Sequence, residues 1–245
     1  MYFLSTGILK DICVGDNFSD IKSALEKVRK KTNSITLSGG EVTILDYFLR
    51  ILDVCNSLDF EKVSVITNAR KFSDIKFARH VLSKGVSDFG VSIYGNTADI
   101  HEQITKVFGS FDESLNGLKN LIFLNARVWV NITVSNYNQY AIYDTIFYLS
   151  KLGVRNFQLI SVITENSDLL YSLDVVKNQV NLLNKLDFKD VIVTIRGFDK
   201  EIFNIVHGSS IFRFESHEFE TFFNNDDANA RRYLRKVDSL RNDFD

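Results

Sequence analysis

The sequence contains no proline and only two cysteines, Cys13 and Cys55, among its 245 residues. Average usage of about 5% predicts roughly a dozen prolines in a chain of this length, but their absence excludes no fold and implies no mechanism. Two thiols are too few for a disulfide framework or a four-thiolate metal site. We therefore expect a reduced, cytoplasmic protein.

The sequence also lacks a long apolar run and an excess of charge of either sign. No stretch of about 18 apolar residues exists, so no membrane span is predicted. Residues 1–11 have no positive region ahead of their short apolar run and make a poor signal peptide. The 29 Lys and Arg residues against 31 Asp and Glu give a net charge of −2, which argues against a nucleic-acid partner.

Short β-type runs alternate with stretches of helical periodicity. The predicted strands are 1–5, 34–38, 62–67, 89–94, 127–134, 156–163 and 191–195. The predicted helices are 18–31, 44–58, 73–84, 111–124, 140–152 and 169–186. Such alternation predicts an α/β fold, in which helical crossovers join the strands of a parallel sheet. The regular spacing favours a TIM-like barrel or partial barrel over two domains.

The alternation is expected to end after Phe198. Residues 215–227 are rich in phenylalanine and acidic residues, and 229–240 form a basic amphipathic pattern typical of a helix. We expect a barrel over 1–198 and a C-terminal helical cap over 199–245. The basic face of that helix suits either solvent or an acidic partner, and solvent is favoured.

Polar residues gather where the predicted strands end, which is where function lies in α/β barrels. Paired glycines, Gly39 and Gly40, let backbone groups approach a ligand closely, and Glu41 is placed to accept from an amine. Further polar residues on or just after the strands are Thr67, Asn68, Arg70, Ser92, Tyr94, Asn131, Thr133, Ser135, Gln158, Ser161 and Glu165. The pattern predicts a polar barrel mouth, although helix capping remains open for some of these hydroxyl and amide groups.

Several common catalytic motifs are absent. His101-Glu102 is not a zincin helix, because the position four beyond His101 is Thr105. Ser92 misses the G-x-S-x-G nucleophile elbow by one residue. The sequence has no G-x-G-x-x-G motif, no P-loop and no metal-ligand spacing among its other histidines, His80, His207 and His217. We therefore expect no metal site.

Four segments in chain order resemble the radical SAM enzymes. SITLSGGEVT resembles their second-strand signature, and KVSVITNAR resembles the third strand and its loop. FGVSIYG, followed by ADIHEQITKVFGSFDESLNGLKNL, resembles the fourth strand and helix of the branch that modifies peptides. VWVNITVSNYN resembles the fifth strand. The resemblance covers roughly residues 34–165 and implies a partial (β/α)6 barrel with an S-adenosylmethionine pocket at its mouth.

The resemblance also implies which residues line that pocket. Its expected binding residues are Gly39, Gly40, Glu41, Thr67, Asn68, Ser92, Asn131, Thr133, Ile160 and Ser161. The Gly-Gly-Glu turn would meet the methionine amino group. Ser92, with Asn131 or Thr133, would meet the carboxylate or the ribose. Ile160 and Ser161 would flank the adenine.

The sequence departs from the family at its defining motif. In radical SAM enzymes, C-x3-C-x2-C after the first strand supplies three thiolates to a [4Fe–4S] cluster. Residues 6–17 contain Cys13 alone, and Cys55 lies on the apolar side of a predicted helix. One thiolate cannot hold the cluster in this way. The sequence therefore predicts no iron–sulfur cluster and no radical chemistry by this chain alone.

Three functions remain open. The first is a cluster-less pseudoenzyme or accessory subunit that binds a peptide, or an active radical SAM maturase, in a peptide-modification pathway. The second is a repurposed enzyme that uses the pocket for non-radical chemistry on a small molecule or peptide. Its candidate catalytic residues are Glu41, Arg70, Tyr94 and His101. The third, an aldolase-type barrel, is disfavoured because no lysine lies at the carboxyl end of a predicted strand.

Overall fold

Strands and helices alternate as the sequence predicted. The computed structural model describes residues 2–5, 12–14, 18–164, 166–185, 190–198, 200–206 and 209–214. The strands are β1 Tyr2–Ser5, β2 Ile12–Val14, β3 Ser34–Gly39, β4 Lys62–Thr67, β5 Asp88–Ser92, β6 Arg127–Val134, β7 Asn156–Ser161, β8 Ile192–Arg196 and β9 Phe212–Phe214. The helices are α1 Phe18–Arg29, α2 Phe48–Ser57, α3 Ile75–Ser83, α4 Ala98–Thr105, α5 Ser110–Phe123, α6 Ile142–Lys151, α7 Leu173–Asn184 and α8 Lys200–Val206. None of these helices is long and apolar enough to cross a membrane.

The described strands form one sheet in the order β2-β1-β3-β4-β5-β6-β7-β8-β9. From β3 to β9, each strand pairs in parallel with the next strand of the chain. Parallel neighbours need long crossovers, and helices supply most of these connections. The predicted α/β fold, a partial TIM-like barrel of parallel strands, is confirmed.

The first strand is the main correction to the predicted sheet. β1 was expected to be parallel like the others, but it pairs antiparallel with both β2 and β3. The register sets Tyr2 opposite Gly39 and Ser5 opposite Thr36. Only residues 6–11 separate β1 from β2, which is too short for a parallel crossover and suits an antiparallel pair.

Several element boundaries also differ from the prediction. The helix expected over 44–58 is a 3-10 helix at Val42–Ile44 followed by α2, and the expected 169–186 helix is α7, which begins only at Leu173. Helix α4 was not predicted, because its eight residues are too few for a clear periodic signal. The alternation continues past Phe198 through α8 and β9.

The predicted C-terminal cap lies mostly outside the described residues. This holds for the basic helix expected over 229–240 and for all of 215–245, so the division of the chain at 198 stays a prediction. Glu165, His207 and His217 also lie outside the described part of the chain.

The sheet has one apolar face and one face that is more polar, because side chains alternate along each strand. The apolar face packs against the helices. Its buried residues include Val63, Val65, Phe89, Val91, Val130, Ile132, Phe157, Leu159, Val193 and Ile195. The opposite face, which we call the inner face, is more polar, although it also carries Ile66, Trp129, Ile160 and Ile192. It carries Ser34, Thr36, Ser64, Asp88, Ser92, Asn131, Thr133, Gln158 and Thr194.

A glycine lets α5 pack directly on the loop after β4. A Cβ atom at Gly117 would lie 2.0 Å from the carbonyl oxygen of Ala69, a distance that no real contact reaches. Ala69 is fully buried and adopts a left-handed backbone with φ of 60°. Non-glycine residues rarely adopt this conformation, so the packing of α5 helps to hold the loop in place.

We expect Gly117→Ala to lower the free energy of unfolding by about 2 kcal/mol or more, because the new methyl group would displace the Ala69 backbone. Urea denaturation measures the change. Gly40→Ala is the matched control. Nothing lies within 4 Å of its added Cβ, and its effect should stay below about 1 kcal/mol. Equal effects of the two substitutions would contradict the packing described for Gly117.

Candidate functional site

The carboxylate of Glu41 ties the loop after β3 to the end of β4. Its Oε1 accepts from the backbone N–H of Thr43 at 3.2 Å and from the hydroxyls of Thr43 and Thr67 at 2.7 Å each. Its Oε2 accepts from the backbone N–H of Asn68 at 2.6 Å. The same carboxylate caps the 3-10 helix Val42–Ile44. Glu41 is therefore a bridge between two loops.

The neighbouring Gly40 is open to solvent. Its backbone is not in the positive-φ region, and nothing lies within 4 Å of where a Cβ would be. Neither conformation nor packing in the described structure requires glycine at this position. A glycine here leaves the backbone of the turn open to close approach by a ligand.

The loop after β4 is held by its own side chains. The hydroxyl of Thr67 accepts from the backbone N–H of Ala69 at 3.0 Å, and Oδ1 of Asn68 accepts from that of Arg70 at 3.0 Å. The Arg70 side chain forms an ion pair with Glu113 of α5 at 2.5 Å. Both side chains are partly exposed, at 39% and 48%, so Arg70 belongs to a surface contact.

His101 on α4 is buried, with 1% of its surface exposed. Its Nδ1 accepts from the backbone N–H of Tyr94 at 3.2 Å, which leaves the proton of the neutral ring on Nε2. Burial lowers the pKa of His101 to about 4, against a smaller opposing effect of Glu102. The rings of Tyr94 and Phe111 lie 5.4 Å and 5.7 Å from the imidazole. His101 thus holds the loop after β5 as a neutral residue.

Tyr94 is fixed from both its side chain and its backbone. Burial raises the pKa of its phenol, and a hydrogen bond with Ser92 opposes the shift. Its carbonyl accepts from Nδ2 of Asn138 at 2.9 Å, and the same Nδ2 donates to the carbonyl of Thr133 at 2.9 Å. Asn138 therefore clamps the ends of β5 and β6. No sequence signal marked it, because its partners belong to different strands.

The inner face brings several of the expected pocket residues together. The register of β5 to β8 aligns one row of four residues: Ser92, Asn131, Gln158 and Thr194. The next row toward the mouth consists of Thr133, Ile160 and Arg196. Gln158 was among the polar strand residues expected at the mouth, although not among the expected nucleoside-binding residues; Thr194 and Arg196 were in neither set. The alternation along β8 places Thr194 and Arg196 in phase with Asn131 and was the signal that could have found them.

Trp129 lies on the inner face itself, one row further from the mouth than Asn131, and fixes the orientation of Asn131. Its indole Nε1 donates to Oδ1 of Asn131 at 2.9 Å. Its ring covers Gly90, where a Cβ would lie only 2.5 Å from the ring. The amide of Asn131 therefore has a fixed orientation.

Ser161 lies apart from the other expected binding residues. Its side chain is on the face that packs against the helices, and its hydroxyl hydrogen-bonds with the Tyr171 hydroxyl at 2.9 Å. Ile160 lies on the inner face, and adjacent strand residues point to opposite faces. The two side chains therefore do not flank one space.

The cysteines of this chain do not supply the donor set of a three-thiolate cluster. Cys55 is fully buried on α2, and burial raises the pKa of its thiol to about 12. Such a thiol is an inert core residue. Cys13 lies in β2, while residues 6–11 and 15–17 lie outside the described part of the chain. Among described residues, no three His, Cys, Asp or Glu side chains are grouped to hold a metal ion.

No protein-family profile matches the sequence. It is 29% identical to the probable GTP 3',8-cyclase of Saccharolobus solfataricus over 154 residues, 60% of this chain and 49% of that protein. It is 29% identical to the sporulation killing factor maturation protein SkfB of Bacillus subtilis over 126 residues, 51% of this chain and 30% of SkfB. The structure resembles anSMEcpe with bound AdoMet and Kp18Cys peptide, with a TM-score of 0.57 and 16% identity, over 69% of this chain and 51% of that one. The matched part of the chain spans about half the length of the cyclase and 30% of the length of SkfB.

We expect Glu41→Gln to lower the free energy of unfolding by about 2 kcal/mol, because an amide NH2 would face N–H or O–H donors that now point at a carboxylate. Chemical denaturation measures the loss. Asp46→Asn removes an exposed charge in the next turn and serves as the control, with a change within about 0.5 kcal/mol. A loss no greater than the control's would contradict the bridging role of Glu41.

The buried His101 should make stability depend on pH. Its pKa falls from 6.5 to about 4 on folding. Protonation therefore favours the unfolded chain, and the contribution to stability is full above pH 6.5 and is lost as pH falls toward 4. The loss amounts to about 3 kcal/mol at the acid end.

Denaturation between pH 7 and pH 4 tests this dependence. His101→Asn keeps an acceptor for the Tyr94 N–H but cannot titrate, so its stability should fall less steeply than that of the wild type. His80→Asn changes an exposed histidine on α3 and should keep the wild-type slope. Parallel slopes for wild type and His101→Asn would show that His101 is not the titrating group.

Proposed function

We propose that this chain, which has the partial-barrel fold of the radical SAM superfamily, binds S-adenosylmethionine or a similar nucleoside where β3 to β6 end. It does so as a cluster-less accessory protein or pseudoenzyme. Its partner is a peptide, or an active maturase acting on that peptide, in a peptide-modification pathway. The binding residues are those expected from the resemblance: Gly39 and Gly40, Asn68, Ser92, Asn131 or Thr133, and Ile160. Glu41 and Thr67 hold the turn in place, and Ser161 contributes only its backbone.

The open turn at Gly40 carries the proposal. Glu41 holds this turn through four hydrogen bonds, yet no atom of the described residues lies within 4 Å of where a Cβ of Gly40 would be, and its backbone does not require glycine. The comparisons add support. SkfB is named as a maturation protein, and one structural neighbour is a complex with AdoMet and a peptide. The location in the cytoplasm and the lack of nucleic-acid and membrane partners remain predictions from composition.

The contacts and burial of the four candidate catalytic side chains favour a binding function over an enzymatic one. The carboxylate of Glu41 accepts four hydrogen bonds, and Arg70 pairs with Glu113. His101 is buried and neutral, and burial raises the pKa of Tyr94 further from neutrality. A general acid or base needs a reachable group with a pKa near the working pH. Tyr94 and His101 do not meet the second condition, and the charged groups of Glu41 and Arg70 are already engaged within the protein.

A repurposed, non-radical enzyme is the second candidate. One observation favours it: the inner face keeps a polar row, which a scaffold that binds only through its outer surface does not need. Its acid or base would have to come from outside the four residues discussed above. Methyl or group transfer from a bound ligand would distinguish it from an accessory protein.

Calorimetric titration with S-adenosylmethionine tests the proposed site, with S-adenosylhomocysteine as comparator. We expect micromolar binding, about −8 kcal/mol. Gly40→Val should weaken it at least about tenfold, because the side chain fills the open space without straining the free protein. Thr36→Val, on the inner face near the opposite end of β3, is the control and should bind as the wild type does. Absence of binding to both nucleosides by the wild type would refute the proposal.

A further inference from the structure

The inner face carries neutral hydrogen-bonding groups that have no partner in the protein. They are Nδ2 of Asn131, the whole side-chain amide of Gln158 and the hydroxyls of Thr133 and Thr194. Within the residues that the structure describes, none of these atoms makes a hydrogen bond. The register sets Asn131, Gln158 and Thr194 on three adjacent strands at one level, so the groups converge on one space.

The orientation of Asn131 is settled by Trp129. Because the indole Nε1 can only donate, the atom that it contacts at 2.9 Å is the amide oxygen of Asn131. The Nδ2 donor of Asn131 is then the free end of that amide. Asn131 is largely buried, with 7% of its surface exposed, but its free Nδ2 is not one of the buried unpartnered atoms and so faces accessible space.

This level of the inner face carries no charge. Asp88 lies at the other end of β5, where it pairs with Arg127 at 3.1 Å and with Lys62 at 3.8 Å. The one charged residue in the next row is Arg196, which has interactions of its own. A triphosphate, with about four negative charges, is held in proteins by several cations or a metal ion. The described residues at this level and in the next row offer no such set, because Lys62 and Arg127 lie at the far end and pair with Asp88.

We infer that Gln158 and Thr194, with Nδ2 of Asn131, form a subsite for an uncharged amide, which we identify as the main chain of a peptide. An amide group carries one donor and one acceptor close together. Gln158 supplies both complements, Asn131 a donor, and Thr194 either. This inference rests on the peptide partner of the proposed function and names where that peptide lies: on β7 and β8, beside the expected nucleoside site on β3 to β6. Asn131 lies at the boundary, and Thr133, the alternative to Asn131 in the nucleoside site, then meets the nucleoside.

The side-chain amide signals of Gln158 and Asn131 report occupancy directly in NMR spectra of the 15N-labelled protein. The probes are N-acetyl-glycyl-glycine N-methylamide, sodium triphosphate and adenosine, titrated separately. We expect the blocked peptide alone to shift the Gln158 signal saturably. Gln158→Leu, followed through Asn131, and Thr194→Val should each weaken the response about threefold to tenfold, while Thr36→Val should leave it unchanged.

The wild-type spectra alone are decisive, even if a variant fails to fold. No shift of Gln158 with the peptide, or a saturable shift with triphosphate, would overturn the inference. A saturable shift of the Gln158 signal with adenosine but not with the peptide would assign the subsite to a nucleobase and would also overturn the inference. Titration of the same sample with S-adenosylmethionine keeps the two proposals separate. Amide binding without nucleoside binding refutes only the nucleoside site, and the reverse result refutes only the amide subsite.

Discussion

One carboxylate, that of Glu41, holds the mouth of this barrel in shape. It accepts from two backbone N–H groups and two hydroxyls, which belong to its own loop and to the end of β4. Only an acceptor without hydrogens suits four converging donors. Through β4 the constraint reaches Ala69, whose left-handed backbone lies against Gly117 of α5. The open turn at Gly40 therefore rests on contacts that extend across three elements.

The polar residues of the site fall into two groups: those whose side chains hydrogen-bond within the protein, and those whose side chains have no partner among the described residues. Glu41, His101 and Asn138 use their polar atoms within the protein. The side chains of Gln158 and Thr194 make no hydrogen bond within the described part of the chain, although their backbones are paired in the sheet. Buried or half-buried polar groups without protein partners are costly unless water or a ligand satisfies them. This division is typical of a surface built to bind, and it explains why the residues that looked most reactive in the sequence are the least available.

The sequence predicted the parallel sheet well, because period-2 and period-3.6 patterns are local. It also placed Ser92, Asn131 and Thr133 on one face of the sheet, since residues in the same phase of neighbouring strands share a face. Glu41 was expected to meet a ligand amine, but its partners Thr67 and Asn68 lie on another strand and are invisible to local patterns. Ser161 was grouped with Ile160 although adjacent strand residues point to opposite faces. Helix α4 was too short to be recognised.

The direction of β1 determines at which end of the sheet the chain leaves its first strand. Tyr2 is level with Gly39, at the mouth, and Ser5 is level with Thr36, so β1 runs away from the mouth. Three residue steps along a strand span about 10 Å. The polypeptide thus leaves its first strand at the end of the sheet opposite to the Gly-Gly-Glu turn, whereas a parallel first strand would deliver it to that turn. A metal-binding residue introduced directly after Ser5 would therefore be about 10 Å further from the level of the Gly-Gly-Glu turn than one that directly followed a parallel first strand.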